Sequence, residues 1–270
     1  CKIGLFSKFI NTFPGSRSDD ILAWIIVRTF ILTKIKLCHK NWFLKTIINI
    51  KIRSKLLNIL VIAAHPDDEV LGMGATIKKL SDKGNKIHLC VVTEGASAQY
   101  SEKKMIAVRK NACLKAGKLL GIKSFDFLEY PDMSLDTIPH LEINKKLEKI
   151  IKKIKPKIVY TTPFNDLNKD HQIVFDSTLV AARPLVSTVK NILCYEIPGI
   201  KKFAFNPTTY ENIKNEFSQK IKAFKVYKSE LEIFPHPRSL ESIESLAIQR
   251  GIESGLVRAE AFQLIKSILD

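Results

Sequence analysis

Apolar and polar positions divide the chain into two kinds of sequence. From residue 56 onward, apolar runs alternate with amphipathic stretches. Leu56–Ala64 (LLNILVIAA) is almost continuously apolar, as expected of a parallel strand covered on both faces. Val70–Lys83 then carries helical spacing, with Leu71, Ile77 and Leu80 recurring and Gly84 as a stop. Lys86–Thr93 predicts the next strand, and 101–120 a helix closed by Gly121. Residues 125–130 predict a short strand ending at Pro131, and 138–154 a lysine-rich amphipathic helix. Residues 157–162 predict a strand, 170–182 a helix and 191–197 a strand. This strand–helix alternation predicts an α/β fold with right-handed crossovers: a Rossmann-like, doubly wound, mostly parallel sheet with helices on both faces. Residues 199–270 are less regular. Residues 217–231, 240–250 and 258–269 read as helices, so the C-terminal part is expected to be helical. Pro235-His236-Pro237-Arg238-Ser239 forms a rigid loop between the first two.

The first 55 residues differ in kind. Residues 21–27 are strongly apolar, Arg28 interrupts, and 29–32 resume. A spanning helix needs about 20 apolar residues, and this run is shorter and charged. With its flanking lysines and Trp24, Phe30, Trp42 and Phe43, it reads as a membrane-surface segment over residues 21–35, or as an extension without function. The expected division is therefore a basic, apolar extension at 1–55 and one compact domain at 56–270.

The chain of 270 residues is 46% hydrophobic and 26% charged, which excludes wholesale disorder and low-complexity architecture. Its five cysteines form no C-x-x-C pair, so neither a disulfide framework nor a cysteine zinc ribbon is expected. The net charge is +16, of which +9 falls in residues 1–55. Lysines such as Lys145, Lys149 and Lys153 sit on a solvated helix face, and no helix-turn-helix, RNP strip or zinc finger accompanies them. No nucleic-acid partner is therefore expected. An anionic substrate or surface fits better.

Ligands of open α/β sheets bind beyond the carboxyl ends of the strands. At the first such junction stands Ala64-His65-Pro66-Asp67-Asp68-Glu69, with four titratable residues after an apolar strand and no G-x-G-x-x-G. His65 and Asp68, three apart across a Pro-stiffened turn, can point at one ion. His171, beginning a helix after a later strand, supplies a third ligand. Asp67 then lies beside the metal, free to take a proton from water that the metal has acidified. Helix capping could account for one or two of these acids, but not for His65.

The segment AHPDDEVLGMGATIKKL, followed by DLNKDHQIVF, resembles the LmbE-like, or PIG-L, zinc-dependent N-deacetylases over roughly residues 56–270. Thr93-Glu94-Gly95 and Pro131-Asp132 agree with that resemblance, and the C-terminal Tyr195-Glu196, Tyr227–Glu230 and Pro235–Ser239 stretches look like a bacterial branch associated with surface-polysaccharide sugars. The resemblance implies zinc, or ferrous iron, on His65, Asp68 and His171, with Asp67 as general base toward zinc-bound water. It implies loss of an N-acetyl group from an N-acetylglucosamine-type sugar, free or lipid- or nucleotide-linked. Location is expected to be cytoplasmic, with membrane contact at the cytoplasmic face. Where many members carry a His three positions before the last ligand, this chain has Asn168. His236 is the candidate replacement, and Arg109, Arg238 and Asn168 are candidate substrate contacts. Arg238 could instead pair with Glu260. Two alternatives stay open: a metal-dependent amidase or esterase on a non-sugar substrate, and a non-catalytic metal- or carbohydrate-binding protein.

Overall fold

The computed structural model describes residues 56–269. The extension and its expected membrane-surface segment at 21–35 lie outside the described residues. Strands β1 (Asn58–Ala63), β2 (Lys86–Thr93), β3 (Ser124–Tyr130), β4 (Ile158–Thr161) and β5 (Asn191–Tyr195) alternate with helices α1 (Asp68–Asp82), α2 (Lys104–Leu120), α3 (His140–Ile154) and α4 (Lys169–Ala181). Beyond them come β6 (Thr209–Asn212), α5 (Phe217–Phe224), α6 (Leu240–Ser254) and β7 (Ala259–Ser267). All seven strands form one sheet in the order β3-β2-β1-β4-β5-β7-β6. The first five are parallel, and β7 runs antiparallel between β5 and β6.

The continuous apolar run of β1 is explained by its two covered faces. Ile59, Val61 and Ala63 pack toward α1, α2, α5 and α6, whereas Leu60, Ile62 and Ala64 pack toward α3 and α4. Helices thus cover both faces, and chain order reverses between β1 and β4. Such a reversal opens a crevice at the carboxyl ends of these two strands.

The expected helix at 258–269 is a strand instead. Ala261, Leu264, Ile265 and Ile268 mimic helical spacing, but the segment completes the sheet by pairing with β5 and β6. Tertiary pairing overrides local propensity here. The expected helix at 217–231 ends at Phe224. The C-terminal part therefore interleaves two helices with two strands.

Two contacts set the position of α1 and of the loop before it. Gly72 lies against the ring of Tyr195, where an added Cβ would stand 2.2 Å from a ring carbon. The Tyr195 hydroxyl donates to the Ile62 carbonyl at 2.9 Å, pinning the end of β1. Farther along, α1 kinks at Met73 (φ −149°, ψ 26°). Glu260 of β7 accepts the freed Ala75 and Thr76 amides at 3.1 and 2.7 Å, while Lys220 donates to the Leu71 carbonyl and to Glu260. Glu260 is thus committed to α1 and Lys220. Arg238 pairs elsewhere, contrary to the suggested Arg238–Glu260 bridge.

Candidate active site

Three buried side chains converge at the crevice. His65 follows β1, Asp68 opens α1, and His171 lies in the first turn of α4, beyond β4. His65 Nδ1 stands 3.2 Å from His171 Nε2. Asp68 Oδ2 is 3.4 Å from His65 Nδ1, and Asp68 Oδ1 is 3.4 Å from His171 Nε2.

Each ring is oriented from behind by carboxylates. His65 Nε2 bonds Asp170 Oδ2 at 3.1 Å and lies 3.2 Å from Asp132. Asp170 is itself fixed by the Met133 and Leu135 amides. Asp166 sits 3.2 Å from His171 Nδ1, an ion-pair contact rather than a directed hydrogen bond, and holds Lys201 at 2.7 Å. These carboxylates call for protons on His65 Nε2 and His171 Nδ1. That leaves two imidazole lone pairs facing each other beside a carboxylate, an arrangement that a cation would relieve.

The donor set fits such a cation. Ligand bonds of about 2.0–2.1 Å in a tetrahedral zinc site give ligand–ligand edges of about 3.3 Å, close to the three separations here. Carboxylates behind ligating histidines are the usual second layer of such sites. The same group of His65, Asp68 and His171 meets the spacing required for a metal among the described residues.

Charge in the cluster follows the geometry. Burial opposes a charged His65 ring, yet Asp132, Asp170 and Asp68 raise its pKa well above the ordinary value. His171 is likewise raised by Asp68 and Asp166 against burial. Burial would raise Asp68, but the two rings hold it well below the usual carboxylate range. Burial would raise Asp166, but His171 and Lys201 hold it at about 2.

Asp67 stands apart in chemistry. It is 0% exposed, and neither carboxylate oxygen has a hydrogen-bond partner among the described residues. It makes no side-chain cap to α1, so capping does not explain it. Its backbone sits at φ 136°, a strained conformation for a residue with a side chain. Arg109 and Arg238 flank it at 3.4 and 3.6 Å. Burial raises its pKa, and the two guanidiniums oppose that rise. Glu69, two positions on, accepts the Tyr227 hydroxyl and the Asp67 amide; burial lifts it to about 8 despite those bonds.

The other expected site residues fall in different surroundings. Arg109 is only 1% exposed; it donates to the Gly95 and Pro66 carbonyls and pairs with Glu230 and Asp67. Gly95 has φ +64° and packs so closely on Pro66 that a Cβ would meet its ring at 2.4 Å. Arg109 therefore grips the loop that presents Asp67, and its guanidinium is turned to protein rather than to a substrate space. Arg238 is half-buried and bonds Glu230 at 2.7 Å. Asn168 caps α4, its Oδ1 accepting the Asp170 amide. His236 is exposed, lies outside the metal-ligand cluster, and accepts the Arg238 amide on Nδ1. Sequence reasoning gave no role to Asp132, Asp166, Asp170, Glu69 or Glu230. Asp132 and Glu230 stand in stretches that carry the family resemblance, but neither stretch names a role for them; Asp166 could have been flagged as an acid at a strand end.

A mostly parallel sheet with a buried His/His/Asp cluster and a buried acid at its switch point defines an α/β protein whose crevice fits a metal cofactor. Residues 60–182 match the model of the PIG-L family, described as GlcNAc-PI de-N-acetylase. An Escherichia coli K12 protein, the uncharacterized deacetylase YaiS, is 36% identical over 185 residues, covering 65% of this chain and 93% of that one. The chain belongs to the PIG-L (LmbE-like) family. Among solved structures, the N,N'-diacetylchitobiose deacetylase of Pyrococcus horikoshii matches with a TM-score of 0.66 and 24% identity, over 84% of this chain and 92% of that one. A 4-carboxy-2-hydroxymuconate hydratase from Pseudomonas putida KT2440 matches with a TM-score of 0.67 and 19% identity, over 80% and 98%. The fold thus hosts more than one reaction, and function has to be argued from the site.

Proposed function

We propose that the chain hydrolyses the N-acetyl group of an N-acetylglucosamine-type sugar or conjugate, giving acetate and a free amine. His65, Asp68 and His171 would hold a divalent cation, zinc or ferrous iron. The observation that carries the reading is the fully buried Asp67 carboxylate, flanked by two guanidiniums but without a hydrogen-bond partner among the described residues, next to three convergent metal-type donors. The family description and the chitobiose deacetylase likeness support an acetamido sugar as substrate.

When bound, the cation supplies Lewis acidity that polarises the acetamide carbonyl and acidifies water. Asp67 accepts a proton from the attacking water at its carboxylate. The C–O bond to the acetyl carbon forms, the C–N bond breaks, and Asp67 returns the proton to the departing nitrogen. Its burial raises its proton affinity, which suits both halves of that transfer. Arg109 holds the loop in place through Pro66 and Gly95. Arg238, the more exposed of the two guanidiniums, contacts the substrate and any anionic group on it. Asn168, whose Oδ1 caps α4, offers its amide NH2 to substrate. His236 assists from the exposed loop, a lesser role than that of Asp67. Three buried free cysteines, Cys90, Cys113 and Cys194, fit a reducing, cytoplasmic compartment.

The test is acetate release from a panel of N-acetylglucosamine conjugates and acylated peptides, with zinc-loaded and chelated protein. Chelator-sensitive release from the sugars alone is expected. Turnover of acylated peptides without N-acetylhexosamine would overturn the substrate class. Metal and sugar binding without release would overturn catalysis.

A further inference from the structure

The connections after β4 and β5 form one joined rim beside the cluster. The Lys202 amide donates to the Asn165 carbonyl, Asn165 Nδ2 donates to the Phe203 carbonyl at 2.8 Å, and Asp166 bridges Lys201 in antiparallel fashion. The backbone is thus tied down, yet large apolar side chains are held outward: Ile200 is 75% exposed, Phe203 68%, Leu167 54% and Phe164 39%. The acids of these two connections, Asp166 and Glu196, are buried and paired with Lys201 and Arg250. The charges left facing water are Lys202 and, at the start of α4, Lys169.

We propose that this rim docks on an anionic bilayer surface. Apolar side chains interleaved with lysines suit the boundary between headgroups and acyl chains, where the rings and aliphatic groups insert and the ammoniums meet anionic lipid. Residues 56–270 carry +7 of the chain's net charge, which favours the same surface. A flat protein interface would instead call for a contiguous apolar centre depleted of lysine. Lys201 fixes the orientation: it lies on the rim and pairs with Asp166, which contacts His171. Docking by the rim therefore brings the crevice to headgroup level. The proposal does not depend on the reaction assigned above.

The experiment is co-sedimentation of the full chain with vesicles of phosphatidylcholine alone and of phosphatidylcholine mixed with phosphatidylglycerol. Wild type is expected to bind the mixed vesicles more tightly, with binding weakened by salt. Ile200→Ser with Phe203→Ser lowers the partition coefficient at least about tenfold, the scale of losing two inserted side chains. Lys169→Glu with Lys202→Glu lowers the preference for phosphatidylglycerol. Val108→Ser with Leu119→Ser, two exposed apolar residues of α2, changes neither. Residues 1–55 are present in every variant, so a difference between variants reads the rim. Circular dichroism confirms that each variant is folded. A wild type that ignores both vesicles overturns the proposal. So does a rim variant that binds like wild type, or a loss no greater than that of the α2 pair.

Discussion

Replacing Arg109 by Met removes a guanidinium that is almost wholly inside the protein and touches four groups at once: the Pro66 and Gly95 carbonyls and the Asp67 and Glu230 carboxylates. Glu230 keeps Arg238 at 2.7 Å, so the loss falls mainly on Asp67 and the two carbonyls. Removing one member of a buried ion pair costs about 3–5 kcal/mol. That is a large fraction of the ~5–15 kcal/mol available to a domain. The cost depends on pH in a definite direction. Without Arg109, the folded-state pKa of Asp67, already raised by burial, rises further. A raised carboxyl pKa lowers stability above the unfolded value near about 4, and that loss disappears as pH falls toward it. Urea unfolding of wild type and Arg109→Met at about pH 8 and about pH 5 should therefore show a gap of about 3–5 kcal/mol that narrows at the lower pH. A gap under about 1 kcal/mol, with only a raised KM, would refute this reasoning and return Arg109 to the substrate contact suggested by sequence.

Other outcomes follow from the same geometry. Asp166→Asn is expected to weaken zinc affinity about 10–100-fold by loosening His171, with the fold retained; competition with a chromogenic chelator measures it. Zinc uptake should release protons through the neutral range and weaken as pH falls, because His65 and His171 both hold protons above the ordinary imidazole value when no cation is bound. Calorimetry in buffers of differing ionisation heat reads that release. Gly72→Ala should destabilise the fold by more than about 1 kcal/mol, since its Cβ would meet the Tyr195 ring that pins β1; thermal melts check this. His236→Ala should lower kcat by far less than Asp67→Asn in steady-state assays.

The five parallel strands were legible because they are either continuously apolar or end at Pro and Gly, whereas β6 was not read at all. β1 and its His-Pro-Asp-Asp-Glu turn could be read together from nine apolar-rich positions and the abrupt change after them. His65, Asp68 and His171 were legible as candidates because each follows a strand end, and parallel topology sends those ends to one edge. β7 was not legible: Ala261, Leu264 and Ile265 fit a helix equally well, and only pairing with β5 and β6 decides. The pairing of Arg109 with Glu230, which lie 121 positions apart, leaves no trace in either local sequence. The orienting acids were visible as residues but not as partners, because an acid at a strand end looks the same whether it caps a helix or holds a histidine.

The central claim is that Asp67 moves the proton beside a cation held by His65, Asp68 and His171. Its most direct test measures acetate release from an N-acetylglucosamine conjugate by zinc-loaded wild type and Asp67→Asn, with the metal content of each determined. The account predicts one bound metal in both proteins and a rate lowered at least about a hundredfold in the variant. Undiminished release by a metal-loaded Asp67→Asn protein would contradict it.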